Sequence, residues 1–279
     1  MSAALIVRKM VGKDLALALD WAAEEGWNPG LRDAQCFYAA DPEGFFIGEF
    51  EGEPVGSVSA VRYGSGFGFL GLYIVRPAYR GRGFGLKLWR RAMDHFGERN
   101  IGLDGVAAQE ANYRKSGFRL AYRNIRQRGE GGGADPGGFV DLASIAFGDI
   151  AAYDATAFPV PRPGFLQAWI GQQGGVGLAA VEGRTLTGYG VMRPCREGFK
   201  IGPLLADDAD LADTLLTGLK ARAGAAPIFL DTPESNPAAL ALARRHGMAR
   251  VFETARMYTK AAPEVRIDRC FGVTTFELG

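Results

Sequence analysis

The most ordered pattern in the chain lies between Leu70 and Phe96. Leu70, Leu72, Tyr73, Ile74 and Val75 form an apolar, β-branched and aromatic run that predicts a largely buried strand. Pro77 has no N–H to give a ladder and ends it. Beyond it, Leu86, Leu88, Trp89, Ala92, Met93 and Phe96 recur at three- and four-residue spacings, which predicts a helix with one apolar face. Arg80-Gly81-Arg82-Gly83-Phe84-Gly85 lies between the two and must turn tightly. Upstream, the pattern predicts a strand over 3–9, then a helix over 14–24 with Asp14 as its cap. Gly26-Trp27-Asn28-Pro29-Gly30 makes a turn and leads to a short helix over 31–40. Two hairpin strands follow, over 45–50 and 54–63, joined by Glu51-Gly52-Glu53. The run from Phe67 to Val75 returns beside them. Ile101–Val106 reads as the next strand.

Between positions 129 and 138, six of ten residues are glycine and one is proline, the composition of a flexible linker. After it the pattern repeats. Helices are expected over 149–158 and 164–171, a hairpin over 177–191, a strand over 199–205, a helix over 212–219 and a strand over 228–231. A final strand is expected over 271–278, and either half could own it. The expected division is therefore 1–128, a linker over 129–138, and 139–279.

A glycine-rich turn between strand and helix leaves unpaired N–H groups at the helix start. With the helix dipole they favour an anion, typically a phosphate. Arg80 and Arg82 add charge there. A dinucleotide fingerprint would need a third glycine where Leu86 stands. A P-loop would need a Lys-Ser/Thr pair that is missing. In the second half, the aligned turn reads Asp207-Asp208-Ala209-Asp210-Leu211-Ala212. All three glycines are gone, and three carboxylates stand where phosphates would sit. Like charges about 4 Å apart repel by ~1 kcal/mol even in water.

The Arg80-x-x-Gly83-x-Gly85 pattern after such a strand resembles the acetyl-CoA signature of the GCN5-related N-acetyltransferases (GNAT). The resemblance continues in Tyr113-Arg114-Lys115-Ser116-Gly117-Phe118, similar to that family's Tyr-x-x-x-Gly-Phe. It departs at Val106 and Gln109, where the family usually has Asn and Ala. The second half keeps Asn236 and Ala239 but has Ala243 at the tyrosine position. The resemblance implies an α/β (α+β) fold of two tandem GNAT-like domains, each a mixed, mostly antiparallel sheet flanked by helices, the second degenerate. It implies acetyl-CoA held by Tyr73, Ile74 and Val75 along its pantetheine arm and by Arg80, Gly81, Arg82, Gly83, Phe84, Gly85 and Leu86 at its pyrophosphate. It implies Tyr113 as general acid. Trp27 and Asn28 are candidate substrate contacts, with core packing and turn formation as the other reading. Glu24 or Glu49 is the expected base, with Glu25 and Asp104 also considered.

Composition then narrows the function. The chain has 279 residues, 47% hydrophobic and 23% charged, enough for two ordinary domains. A net charge of +1 gives no field that would draw it to nucleic acid or membrane. No apolar run reaches the ~18 residues of a membrane helix, and the N-terminus lacks a signal peptide's apolar core. Three scattered cysteines and two histidines suggest neither a disulfide framework nor a metal site. A cytoplasmic acetyltransferase, monomeric or homodimeric, acting on the primary amine of a small molecule by direct transfer is the expectation. The alternative is a CoA-binding sensor or scaffold without catalysis.

Overall fold

The computed structural model describes residues 4–279; Ala3, the first position of the expected opening strand, lies outside them. In chain order the first half comprises β1 (Ile6–Lys9), α1 (Gly12–Glu24), α2 (Asp33–Ala40), β2 (Phe45–Phe50), β3 (Glu53–Tyr63), β4 (Phe67–Val75), α3 (Phe84–Phe96), β5 (Asn100–Val106), α4 (Glu110–Lys115) and β6 (Arg119–Glu130). The second half comprises β7 (Val140–Asp141), α5 (Phe147–Ala157), α6 (Pro163–Ile170), β8 (Val176–Glu182), β9 (Thr185–Pro194), β10 (Phe199–Ala206), α7 (Ala209–Arg222), β11 (Pro227–Pro233), α8 (Pro237–Arg245), β12 (Ala249–Tyr258) and β13 (Cys270–Gly272).

The helix starts follow local chemistry. Asp14 sits inside α1 rather than before it, and its carboxylate accepts from the Val11 amide at 2.9 Å. Asn236 caps α8 by accepting from the amides of Ala238 and Ala239. Asp208 caps α7 through the Leu211 amide at 2.8 Å.

All the strands join one mixed sheet in the order β1-β2-β3-β4-β5-β12-β6-β11-β10-β9-β8-β7, with β13 paired to β10. The two halves exchange strands at its centre. Second-half β12 inserts between first-half β5 and β6, pairing Gly102–Val106 on one side and β6 on the other. First-half β6 in turn pairs over Asn124–Glu130 with β11. Gly129 and Glu130, expected within the linker, are strand residues opposite Ile228 and Pro227. Their glycine-rich composition suggested a break, but pairing with β11 overrides it.

Helices α1, α2, α5 and α6 share one continuous core, in which Phe37 stacks on Trp169 across the two halves at 6.2 Å. Helices α3 and α4 cover a second patch with Leu88, Ala92, Phe96, Tyr113 and Phe118, and α7 and α8 a third. Ion pairs tie the halves where they meet: Arg193 with Asp33, Arg126 with Asp231, and Arg256 with Asp104, all buried.

The final segment departs from expectation. Only Cys270–Gly272 is strand. Parallel β10 and β11 pair as far as Ile201 and Leu230 and then separate, and β13 fills the gap, with Leu204 opposite Gly272 and the Val273 amide donating to Asp231 O at 2.8 Å. The Asn236 side chain donates to the Cys270 carbonyl at 2.9 Å and holds the insert. Residues 273–279 then run buried toward the first half, where Tyr63 donates to Leu278 O at 3.0 Å and Arg162 to Gly279 O at 2.8 Å. These isolated contacts, rather than a strand ladder, hold the segment.

The only two histidines set an acid limit on stability. Burial, then the nearby Arg62, hold His95 below the ordinary imidazole range even though Asp41 lies 3.6 Å away. Burial and Lys220 do the same to His246. A depressed folded-state pKa means that the native protein binds fewer protons than the unfolded chain. This contribution is therefore whole above the unfolded value near 6.5 and declines as pH falls below it. Urea midpoints should fall from pH 7 to pH 5.5, and His95→Gln should flatten that slope; an unchanged slope would show that His95 is not its source.

Candidate functional site

The cleft that matters opens where β4 leaves β5. The two strands pair from Phe67 with Asn100 to Leu70 with Leu103 and then diverge. Beside the divergence β4 carries an extra residue: Ser57 pairs with Ile74 but Ser59 with Gly71. Leu72, within this bulge, has a φ of 45°, in the left-handed region that a leucine rarely occupies, and Ser57 Oγ holds its carbonyl at 2.7 Å. Residues 71–75 therefore present a strand edge with no partner on the β5 side. A cleft of about 470 Å³ occupies the gap. Its walls include Gly71–Val75, Asp104–Val106, Tyr113 and Arg80 from the first half, and Phe252, Thr254, Phe276 and Glu277 from the second.

The turn at its mouth fits a diphosphate. Gly81 and Gly83 have φ of 76° and 78°, and a Cβ at either would meet nothing within 4 Å. Gly83 caps α3, and Phe84, Gly85 and Leu86 open its first turn. Among the described residues, no protein acceptor takes the amides of Gly81, Arg82 or Gly83, so these donors point at whatever sits before the helix. Phe84 buries its ring against Phe50 at 5.1 Å. Gly85 lies under Tyr73, whose hydroxyl would be 2.7 Å from an added Cβ. Arg82 lies over the Phe50 ring at 4.4 Å and pairs with no carboxylate among the described residues. Arg80 is less free: its Nε donates to Val75 O at 2.8 Å and its guanidinium pairs with Glu25. The aligned second-half turn carries carboxylates in place of glycines. Asp208 caps its helix, Asp207 accepts from Tyr153 at 2.8 Å, and β13 lies where a cofactor arm would run.

Tyr113 reaches the cleft from α4, its ring stacked on Trp89 at 5.9 Å and seated over Gly105, where a side chain would collide with it. Burial, then the neighbouring Tyr73, push its phenol well above the ordinary value, so it keeps its proton at any working pH. Burial raises Tyr73 in the same direction.

The remaining expectations divide. Trp27 lines the cleft, and its carbonyl accepts from Arg126 of β6 at 2.7 Å and from Lys200 of β10 at 3.0 Å, so one strand from each half holds this loop. Asn28 does not line it. With a φ of 51°, it exchanges hydrogen bonds with the Glu197 backbone and serves the turn. Glu24 and Glu49, expected as bases, lie outside the cleft: Glu24 is on the outer face of α1, and Glu49 pairs with Arg8 beside β1. Asp104 lines the cleft but is held bidentately by Arg256 at 2.9 and 2.6 Å and accepts from Asn124 at 2.8 Å.

Phe252, Thr254, Phe276 and Glu277 were not anticipated as site residues. They come from β12 and the final segment, and only strand exchange brings them here. The Thr254 hydroxyl is buried without a protein partner. The apolar alternation around it marks a strand, but nothing local in the sequence announces a contact with the other half.

Comparison with known proteins agrees with this geometry. Residues 13–118 match the acetyltransferase (GNAT) family profile and residues 150–272 an acetyltransferase (GNAT) domain profile. The chain is 30% identical over 263 residues to the holothin acyltransferase of Pseudoalteromonas sp. (strain SANK 73390), covering 93% of this chain and 90% of that protein. A structure from Pyrococcus horikoshii, provisionally described as an acetyltransferase, superposes with a TM-score of 0.84 at 25% identity, over 99% of this chain and 96% of that one. A tandem GNAT protein from the clavulanic acid biosynthesis pathway shares the fold, with a TM-score of 0.63 at 14% identity over 94% of this chain and all of the other. With two matched domains in one shared sheet and 30% identity to an acyltransferase over nearly its whole length, the chain belongs to the GCN5-related acyltransferases, as a tandem member.

Proposed function

We propose that this acyltransferase moves an acetyl group from acetyl-CoA to the primary amine of a small molecule, by direct attack within a ternary complex. Residues 1–128 supply the donor site, and residues 139–279 close the acceptor side. The observation that carries this reading is the set of free amides at Gly81, Arg82 and Gly83 beside an unpaired strand edge, opening into a cleft floored by a protonated tyrosine. In this reading those amides and Arg82 hold the diphosphate. The free edge of residues 71–75 takes the pantetheine amides and polarises the thioester carbonyl, as oxyanion donors do. Tyr113 donates to the departing sulfur.

A small acceptor is supported by the cleft's volume and by its walls of Trp27, Phe252 and Phe276. The similarity to a holothin acyltransferase points the same way. Among the described residues no cysteine or serine lines the cleft, and the three cysteines are buried, which favours direct transfer over an acyl-enzyme.

Assaying release of free CoA thiol across a panel of primary amines tests the reading: turnover with compact amines supports it, and tight CoA binding without turnover on any amine defeats it. Tyr113→Phe should lower kcat by about 10²–10³-fold, the range of general acid catalysis, while calorimetric acetyl-CoA affinity stays within about threefold. Equal losses in both would reassign Tyr113 to packing.

A further inference from the structure

Three carboxylates line the cleft: Glu25, Asp104 and Glu277. Glu25 is paired with Arg80 and Asp104 with Arg256. Glu277 is 3% exposed, yet among the described residues no lysine or arginine forms an ion pair with it. Its one side-chain partner is the Thr275 hydroxyl, two residues back on the same segment. Its backbone lies directly against Gly71, where a Cβ would strike the Glu277 carbonyl. That contact sets Glu277 beside the β4 bulge, next to the strand edge assigned to the thioester. Arg126, Arg193 and Lys200 stand close enough to feel its charge, but Arg126 and Arg193 are already matched by Asp231 and Asp33, and Lys200 spends its ammonium on the Trp27 carbonyl.

Resting on the acetyl-transfer reading above, we propose that Glu277, delivered by the C-terminal segment, is the carboxylate that receives the acceptor's ammonium and removes its proton. The ammonium R–NH₃⁺ gives one proton to Glu277, directly or through one water, and becomes a neutral amine. Its lone pair forms the C–N bond to the thioester carbon, and the carbon–sulfur bond breaks. Tyr113 protonates the sulfur and regains a proton from the new ammonium-like nitrogen as the amide forms. Glu277 releases its proton to water, so the balance is amine cation and thioester to amide, thiol and one proton. The walls around it, Trp27, Phe252 and Phe276, select a compact amine with an apolar or planar body, whose positive end faces the carboxylate.

The test is Glu277→Gln, assayed against pH with one amine substrate found in the panel above. Expected is a loss of about 10²–10³-fold in kcat/KM for the amine near neutral pH. With no carboxylate to take the proton, the residual rate should rise with pH in step with the amine's own deprotonation. Calorimetric acetyl-CoA affinity and Tm should be unchanged. Glu277→Asp, which keeps the charge but withdraws it, should lose about tenfold and keep the shape of the wild-type pH profile. A profile identical to wild type in Glu277→Gln overturns the proposal. So does a loss that appears in acetyl-CoA affinity or Tm rather than in the amine's kcat/KM. If the wild-type protein itself turns over no amine, the acetyl-transfer reading fails first, and that outcome is distinct from a wild-type-like Glu277→Gln.

Discussion

Gly83→Asp lowers kcat/KM for the acyl donor by about 10²–10³-fold, while Gly83→Asn lowers it by about tenfold or less. Both residues tolerate the left-handed backbone that Gly83 adopts at φ 78°, more readily than any other non-glycine residue, so both variants should keep the turn and the start of α3. The Cβ of either enters open space. What separates them is one negative charge at the mouth of the amide cluster. At about 4 Å from a phosphate, that charge repels by ~1 kcal/mol in water and up to ~4 kcal/mol in a partly desolvated site. Repelling both charges of a diphosphate then weakens binding by about 3–4 kcal/mol. Steady-state kinetics at 50 mM and 500 mM salt check the cause, because a charge effect at this exposed turn must shrink with ionic strength. Equal losses in the two variants would mean that shape rather than charge governs the turn.

The second large effect concerns the joint between the halves. Asp33→Ala destabilises the protein by about 3–5 kcal/mol, because it leaves the guanidinium of Arg193 buried with no counter-charge. Both side chains are about 1% exposed, and Arg193 donates to Asp33 at 2.8 and 3.2 Å while lying over the Trp169 ring at 4.2 Å. The wild-type pair is tightly enclosed: a Cβ on Gly30 would meet Asp33 and Arg193 within 3 Å. The double variant Asp33→Ala with Arg193→Met removes the orphaned charge and should recover most of the loss. Urea denaturation of the wild type, both single variants and the double variant closes the cycle. A double variant no more stable than Asp33→Ala would show that packing around Gly30, not the uncompensated charge, sets the cost.

Much of this was readable before any coordinates. The buried run into Val75, the glycines after Arg80 and the three- and four-residue spacing into Phe96 predict strand, turn and helix where β4, the open amides and α3 are found. The pattern works there because each element is decided locally, by its own periodicity and by glycines whose backbone angles need no distant partner. It also exposes the decay of the second turn, since Asp207, Asp208 and Asp210 are visible without a fold. What it misses is whatever depends on long-range pairing. β6 and β12 each alternate as a strand should, and nothing in either run says that they trade neighbours. The second-half wall of the cleft is built from that trade, so Thr254, Phe276 and Glu277 stay hidden while Glu24 and Glu49 look available. The final strand shrank to Cys270–Gly272 for the same reason: its partner is a gap in the second half's own sheet, visible only once β10 and β11 have parted.

The exchange of β6 and β12 also sets the order of events during synthesis. When Val106 leaves the ribosome, β5 has one bare edge, and the segment that covers it, Ala249–Tyr258, has yet to be made. At 5–20 residues per second that wait lasts roughly 7–30 s. Throughout it, the nascent chain carries an open apolar strand edge beside its future catalytic cleft, which makes this interval the natural point for a chaperone to act and for two nascent chains on one messenger to pair with each other instead.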